Sequence, residues 1–309
     1  MAAKITRTLS SIAAGTALLA LCGCRPIAGL SRGYLSACPA RGPERHDDFG
    51  HYVPPFDLSA HETAVRAFAG ALEVREMARV VDGGAIHPIS LLRWRGRAAR
   101  ARALIVAGVH GNEVPGVLAM ERLLGQLAAA PPPTYERWQL YLVPALNPVG
   151  LAHASRYNGE GCDINRDFGV FRTPEARVLR DVIREVRPDV VVSLKESAQD
   201  GFMVVVTAAG SRAVGEAVAA AVDAAGVPLA TETFLGTRLP VRGLWMEGPL
   251  LTRLKRLGRT RTLGSYALAQ GIPTYTMEAP WASPDVDGQV RAHLAAVEAV
   301  LGHAGSARP

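Results

Sequence analysis

The chain has 309 residues, a formal net charge of +6, 49% hydrophobic residues and 20% charged ones. That is a globular rather than a disordered composition, long enough for one large α/β domain with a sizeable core. The basic excess is scattered arginine without interleaved aromatics, which argues against a nucleic-acid partner, and no fixed-period repeat suggests a solenoid.

In chain order, Lys4 and Arg7 precede an apolar run over 12–21 that is too short to span a bilayer, the pattern of an export signal. It ends in Leu21-Cys22-Gly23-Cys24, which resembles a bacterial lipobox. The resemblance implies a signal peptide over 1–23 and a mature chain beginning at a lipidated Cys24. Such a chain is tethered to the membrane by lipid, with no transmembrane helix. An ordinary cleaved signal is the alternative. Arg25, rather than an aspartate, follows Cys24 and points away from inner-membrane retention. The expected location is the cell envelope, on the periplasmic side of the outer membrane.

Residues 24–72 read as a tether and loop region, since 25–60 is rich in Pro, Gly, Arg and His without clear periodicity. Cys38 and Cys162, the other mature cysteines, could pair in an oxidising envelope, although sequence does not show their proximity.

The folded domain is expected over 73–303, with a fraying tail over 304–309. Residues 74–81 and 86–94, separated by Asp82-Gly83-Gly84, read as a β-hairpin. After a basic connector, the apolar run 103–109 reads as a buried parallel strand that stops at His110-Gly-Asn-Glu113. Imidazole and carboxylate are both zinc donors, and ligands of open α/β sheets collect beyond the carboxyl ends of such strands. A strand-to-helix turn with a capping histidine is the plainer reading. Pro115 suits the first turn of a helix reaching about Ala130, the prolines at 131–133 stop it, and 138–144 is the next strand. Strand, helix, strand in this order makes a parallel crossover.

The following loop carries Asn147-Pro-Val-Gly150, Arg156 and Asp163-Ile-Asn165-Arg166-Asp-Phe168. Arginine grips carboxylates through parallel N–H bonds and can stabilise an oxyanion. The alternative is a polar surface loop whose arginines pair with Asp163 or Asp167.

Taken with Pro174-Glu175, these motifs resemble in order and spacing the zinc metallocarboxypeptidase family. Its succinylglutamate desuccinylase/aspartoacylase branch shares the His-Gly-Asn-Glu form and the Asn-Arg pair. The resemblance spans roughly residues 75–300. It implies a three-layer α/β/α fold on a mixed, mostly parallel sheet. It also implies zinc held by His110 and Glu113, Arg156 facing a tetrahedral intermediate, and Asn165 with Arg166 on a substrate carboxylate. Glu278, after the apolar strand 272–277, stands where the family has its catalytic glutamate. A carboxylate there can take a proton from zinc-bound water and pass it to the leaving nitrogen. The implied activity is zinc-dependent cleavage of an amide bond next to a free carboxylate, in a peptide or an acyl-amino acid. Envelope location points to murein or other short peptides.

One position departs from the pattern. After a helix over 175–186 and a strand over 189–194, the family has a histidine as third ligand, and this chain has Lys195 followed by Glu196. Lysine must lose its proton before it can bind zinc. Three outcomes are open. Neutral Lys195 coordinates a metal; Glu196 or a distant histidine stands in; or the Lys195 ammonium takes the metal's place and pairs with Glu113. The last leaves a catalytically impaired, metal-free protein that binds peptide carboxylates. Deacylation of N-acyl amino acids is the further alternative. The remaining elements read as structural: a strand over 201–207, helices over 212–225, 265–270 and 286–301, and Tyr266 as packing. The arginine-rich stretch 238–261 is either a basic lid or a solvated amphipathic segment.

Overall fold

In the computed structural model, residues 37–43, 50–257 and 260–304 are described. The signal segment, Cys24 and residues 305–309 lie outside them.

Strands β1 (Glu73–Asp82) and β2 (Ala85–Arg95) form the expected hairpin, turning through Gly83 and Gly84 at φ 54° and 92°. The crossover follows as β3 (Ala101–Val106), α2 (Val114–Ala129) and β4 (Trp138–Val143), with β3 and β4 parallel. A short helix α3 (Pro148–Ala152) precedes α4 (Pro174–Val186) and β5 (Val190–Ser197). Then come β6 (Met203–Val206), α5 (Arg212–Ala224), β7 (Leu244–Met246) and α6 (Pro249–Arg256). The chain closes with α7 (Leu263–Ala269), β8 (Thr274–Pro280) and α8 (Val286–Ala304).

The eight strands form one mixed sheet in the order β1-β2-β4-β3-β5-β8-β6-β7. Its centre, β4-β3-β5-β8, is parallel, and antiparallel pairing resumes on either side at β2/β4 and β6/β8. Central strands covered on both faces must be apolar throughout, which is why Leu104, Ile105, Val191 and Val192 are fully buried. One core cluster joins α2, α5 and α8 to one face of the sheet, and another joins α4 and α7 to the opposite face. This is the three-layer α/β/α arrangement expected from the sequence. Among the described residues no helix is long and apolar enough to cross a membrane.

Two differences from the sequence reading matter for the site. The 24–72 stretch, expected as a tether that becomes a packed loop, also holds a helix. Helix α1 (Leu58–Ala67) is capped by Asp57, whose carboxylate accepts from the Ala60 N–H at 3.0 Å, and it buries Leu58, His61 and Val65. Its inward face has a histidine between two apolar residues, too thin a stripe to register as periodic. The packed body therefore starts before residue 73: Tyr52 N–H donates to the Trp281 carbonyl at 2.8 Å. Second, β5 and β8 run further than expected, so Lys195 and Glu278 lie within strands rather than after them, and are register partners. Cys38 and Cys162 are disulfide-bonded, and the Asp163 N–H donates to the Ala37 carbonyl at 2.7 Å. The N-terminal segment is thus fastened to the loop that carries Asp163.

Candidate functional site

The His110 loop and the Asn147–Gly150 loop meet because neither has a side chain at the contact. A Cβ on Gly111 would lie 1.9 Å from the Gly150 carbonyl carbon, and one on Gly150 would lie 2.3 Å from Asn147 Nδ2. Glycine at both positions is a steric requirement. Asn147 fixes its own turn, accepting from Gly150 N–H at 2.9 Å and donating to the Tyr157 carbonyl at 3.2 Å. Glu113 holds the N-cap position of α2, beside the positive end of the helix dipole, with Pro115 in the first turn.

His110 and Glu113 come together as expected, both 1% exposed, with Nδ1 and Oε1 2.5 Å apart. His110 Nε2 lies 3.1 Å from Asp163 Oδ1 and can donate to it, which orients the ring and turns Nδ1 toward Glu113. Lys195 reaches the same point from β5. Its Nζ is 2.9 Å from His110 Nδ1 and 3.2 and 3.3 Å from the two Glu113 oxygens. Arg156 donates from Nε and Nη2 to Asp163 Oδ2 at 3.1 and 2.9 Å, and its Nη1 lies 3.3 Å from His110 Nδ1. The plainer expectation for this arginine, a pairing with Asp163, is thus realised, but inside the cleft rather than on the surface. Asp167 instead accepts from the N–H and hydroxyl of Thr173, the N-cap of α4, at 2.7 and 2.9 Å.

Burial alone would raise the Glu113 carboxyl, but His110, Lys195 and Arg156 bring it down to about 2. Asp163 is likewise buried, yet Arg156 and His110 hold it well below the ordinary carboxylate range. Glu278 differs: burial, reinforced by Glu113 and Glu196, outweighs Lys195 and Arg156 and pushes it up to about 8.

Asn165 Oδ1 accepts from Leu263 N–H at 3.0 Å, which leaves the amide NH2 as its donor end, and Arg166 Nη1 donates to the Asn165 carbonyl at 3.0 Å. His110, Glu113, Arg156, Asn165, Arg166, Lys195 and Glu278 all line one cleft of about 190 Å3, with Phe234, Leu235 and Trp281 as its apolar wall. An adjoining cavity of about 200 Å3 shares Asn165, Arg166, Lys195 and Glu278 and extends to Trp245, Glu247 and Lys255. The arginine-rich stretch therefore supplies one wall of this second cavity, through the buried Glu247–Lys255 ion pair. Tyr266 packs against Phe168 and Phe171, as expected.

The sequence reading did not place Asp163, Asn112 or His51 in the site. His51 stacks on Trp281 at 5.2 Å, lies 3.4 Å from Glu196 Oε2, and its Nδ1 is 3.2 Å from Asn112 Nδ2. It was hidden in a segment read as tether. The Asp-x-Asn-Arg spacing held the only signal for Asp163.

Zinc, which the family resemblance implies, does not fit this donor set as it stands. Among the described residues no group of three His, Cys, Asp or Glu side chains is placed to hold a metal ion. His110 and Glu113 supply two zinc donors, with Nδ1 and Oε1 2.5 Å apart. The third side chain is an amine within hydrogen-bond reach of both.

Residues 99–187 match the family Succinylglutamate desuccinylase/Aspartoacylase catalytic domain. Carboxypeptidase 2 of Trichophyton tonsurans is 29% identical over 100 residues, which are 31% of this chain and 19% of that protein. The chain thus aligns with about a fifth of the length of such curated relatives. The metallo-carboxypeptidase of Burkholderia cenocepacia superposes with a TM-score of 0.60 at 21% identity, covering 82% of this chain and 70% of that one. The metallo-carboxypeptidase of Pseudomonas aeruginosa, solved with (2-guanidinoethylmercapto)succinic acid, gives 0.59 at 17% identity, covering 80% and 68%. The chain is zinc carboxypeptidase-like in fold, and its strand-loop-helix segment carrying His110, Glu113, Arg156, Asn165 and Arg166 falls within the stretch matched by the desuccinylase/aspartoacylase catalytic domain.

Proposed function

We propose that this protein recognises the free carboxylate of a peptide or an N-acyl amino acid in a metallocarboxypeptidase-like cleft. The observation that carries this is the convergence of Arg156, Asn165 and Arg166 with the Lys195–Glu113–His110 cluster on one cavity. Guanidinium and amide N–H groups are donors that bind a carboxylate by charge-assisted bonds. Glu278 lies beside them in the same cleft. The carboxylate-bearing succinic acid derivative on the Pseudomonas relative supports the same ligand class. The apolar wall of Phe234, Leu235 and Trp281 suits the body of a short peptide. The signal segment over 1–23, followed by a lipidated Cys24, fits a lipid-anchored envelope protein, with murein or other envelope peptides as the ligands at hand.

Zinc-dependent amide hydrolysis, by carboxypeptidase or acyl-amino-acid deacylase action, is the second reading. Glu278 in the cleft favours it, since an acid above a bound amide can protonate a leaving nitrogen. The test is a panel of short peptides, murein-type peptides, and N-acetyl and N-succinyl amino acids, each beside its C-terminal amide. Calorimetry and product release are read together. The proposal expects free acids to bind at least about tenfold more tightly than amides, the effect of one charge-assisted contact. Equal binding of acid and amide overturns it, and release of product from the unaltered protein establishes the second reading.

A further inference from the structure

Three features of the His110–Glu113–Lys195 cluster belong together. The Lys195 ammonium lies 2.9 to 3.3 Å from His110 Nδ1 and both Glu113 oxygens, so one cation sits where these atoms converge. The lysine is built in rather than swung in. It sits on the central strand β5, 7% exposed, two residues past the last β3–β5 register pair and in register with Glu278 of β8. The buried charges also balance in pairs, Lys195 with Glu113 and Arg156 with Asp163. A dication added to two such neutral pairs would bring two uncompensated positive charges beside them.

We propose that Lys195 is a resident cation that replaces the metal in this cleft, holding His110 and Glu113 together so that the protein binds its carboxylate ligand without zinc. A single exchange, Lys195→His, is then enough to convert the cluster into a zinc site, because His110, its Asp163 anchor and Glu113 are already in place. The ligand half of this inference rests on the carboxylate reading above; the metal half does not.

The experiment takes the full chain, wild type and Lys195→His, through equilibration with zinc and then measures metal per chain by elemental analysis and melting temperature with and without zinc. The expected result is no stoichiometric zinc and no zinc-dependent shift in the wild type. Lys195→His should carry close to one zinc per chain, with affinity roughly a hundredfold or more above the wild type, because even outer-shell partners are worth 10–100-fold. Stoichiometric zinc in the wild type overturns the proposal and needs no variant to fold. A folded Lys195→His that still takes no zinc overturns it too, since Lys195 would then not be what replaces the metal. Calorimetry of wild type with a free-acid tripeptide under chelator separates the two halves. Loss of binding there, with zinc absent from the wild type, refutes the carboxylate reading and leaves the metal result standing.

Discussion

Removing the Lys195 cation should strand a buried charge. In Lys195→Met the side chain keeps its length and loses its ammonium, leaving Glu113, 2% exposed at its side chain, facing His110 without its cation. At 3.2 Å two unit charges attract by about 5 kcal/mol at an effective dielectric of about 20. Desolvation of the pair offsets part of that, but deletion of one partner leaves the other's desolvation uncompensated. Breaking a buried pair in this way costs about 3–5 kcal/mol. Urea denaturation at neutral pH should show a loss of that size, a large share of the stability of a domain. Placing Glu113→Gln on the same chain removes the stranded carboxylate, and the double-mutant cycle should return a coupling of about 1–3 kcal/mol. A loss below about 1 kcal/mol with no coupling would refute the view that Lys195 is the counter-ion of this cluster.

Arg166→Ala should weaken a free-acid peptide by roughly 10–100-fold, the worth of one charge-assisted contact, and leave the amide's affinity nearly unchanged; calorimetry checks both. His293 on α8 is buried, has no ring hydrogen bond among the described residues, and is driven by burial down to about 4. Its folded form therefore resists a proton that the unfolded chain accepts near pH 6.5, so stability falls as pH drops from about 6.5 toward 4. Between pH 7 and 5 the wild type should lose about 2 kcal/mol more than His293→Leu, and parallel pH profiles would sink this reasoning. Gly111→Ala forces a Cβ to within 1.9 Å of the Gly150 backbone and should cost about 3 kcal/mol or prevent folding, read by denaturation and soluble yield.

The sequence reading and the structure agree where a local pattern had a single physical solution. The apolar run before His110 was read as a buried parallel strand and is one, whereas the close contact of Gly111 with Gly150 came only with the structure. The crossover through α2 and the paired order of motifs were legible for the same reason. Helix α1 was not, because its inward face buries His61 between Leu58 and Val65 and owes its order to packing on the body. Lys195 was visible as a departure, but three fates were open to it. Its position on β5, beside His110 and Glu113 and in register with Glu278, came only with the structure, and the ammonium fate is the one proposed above. Asp163, at the centre of the charge balance, could equally have been a surface residue until the Arg156 and His110 contacts were known. His51 depended on a segment whose course no periodicity revealed.

The most direct test of the account is anomalous scattering at the zinc edge from a crystal of the wild-type protein grown with zinc and a free-acid tripeptide. The account predicts peptide carboxylate density against Asn165 and Arg166, Lys195 Nζ still bonded to His110 and Glu113, and no zinc peak between them. A zinc peak at about 2 Å from His110 Nδ1 and a Glu113 oxygen, with Lys195 either displaced or coordinating, would contradict it.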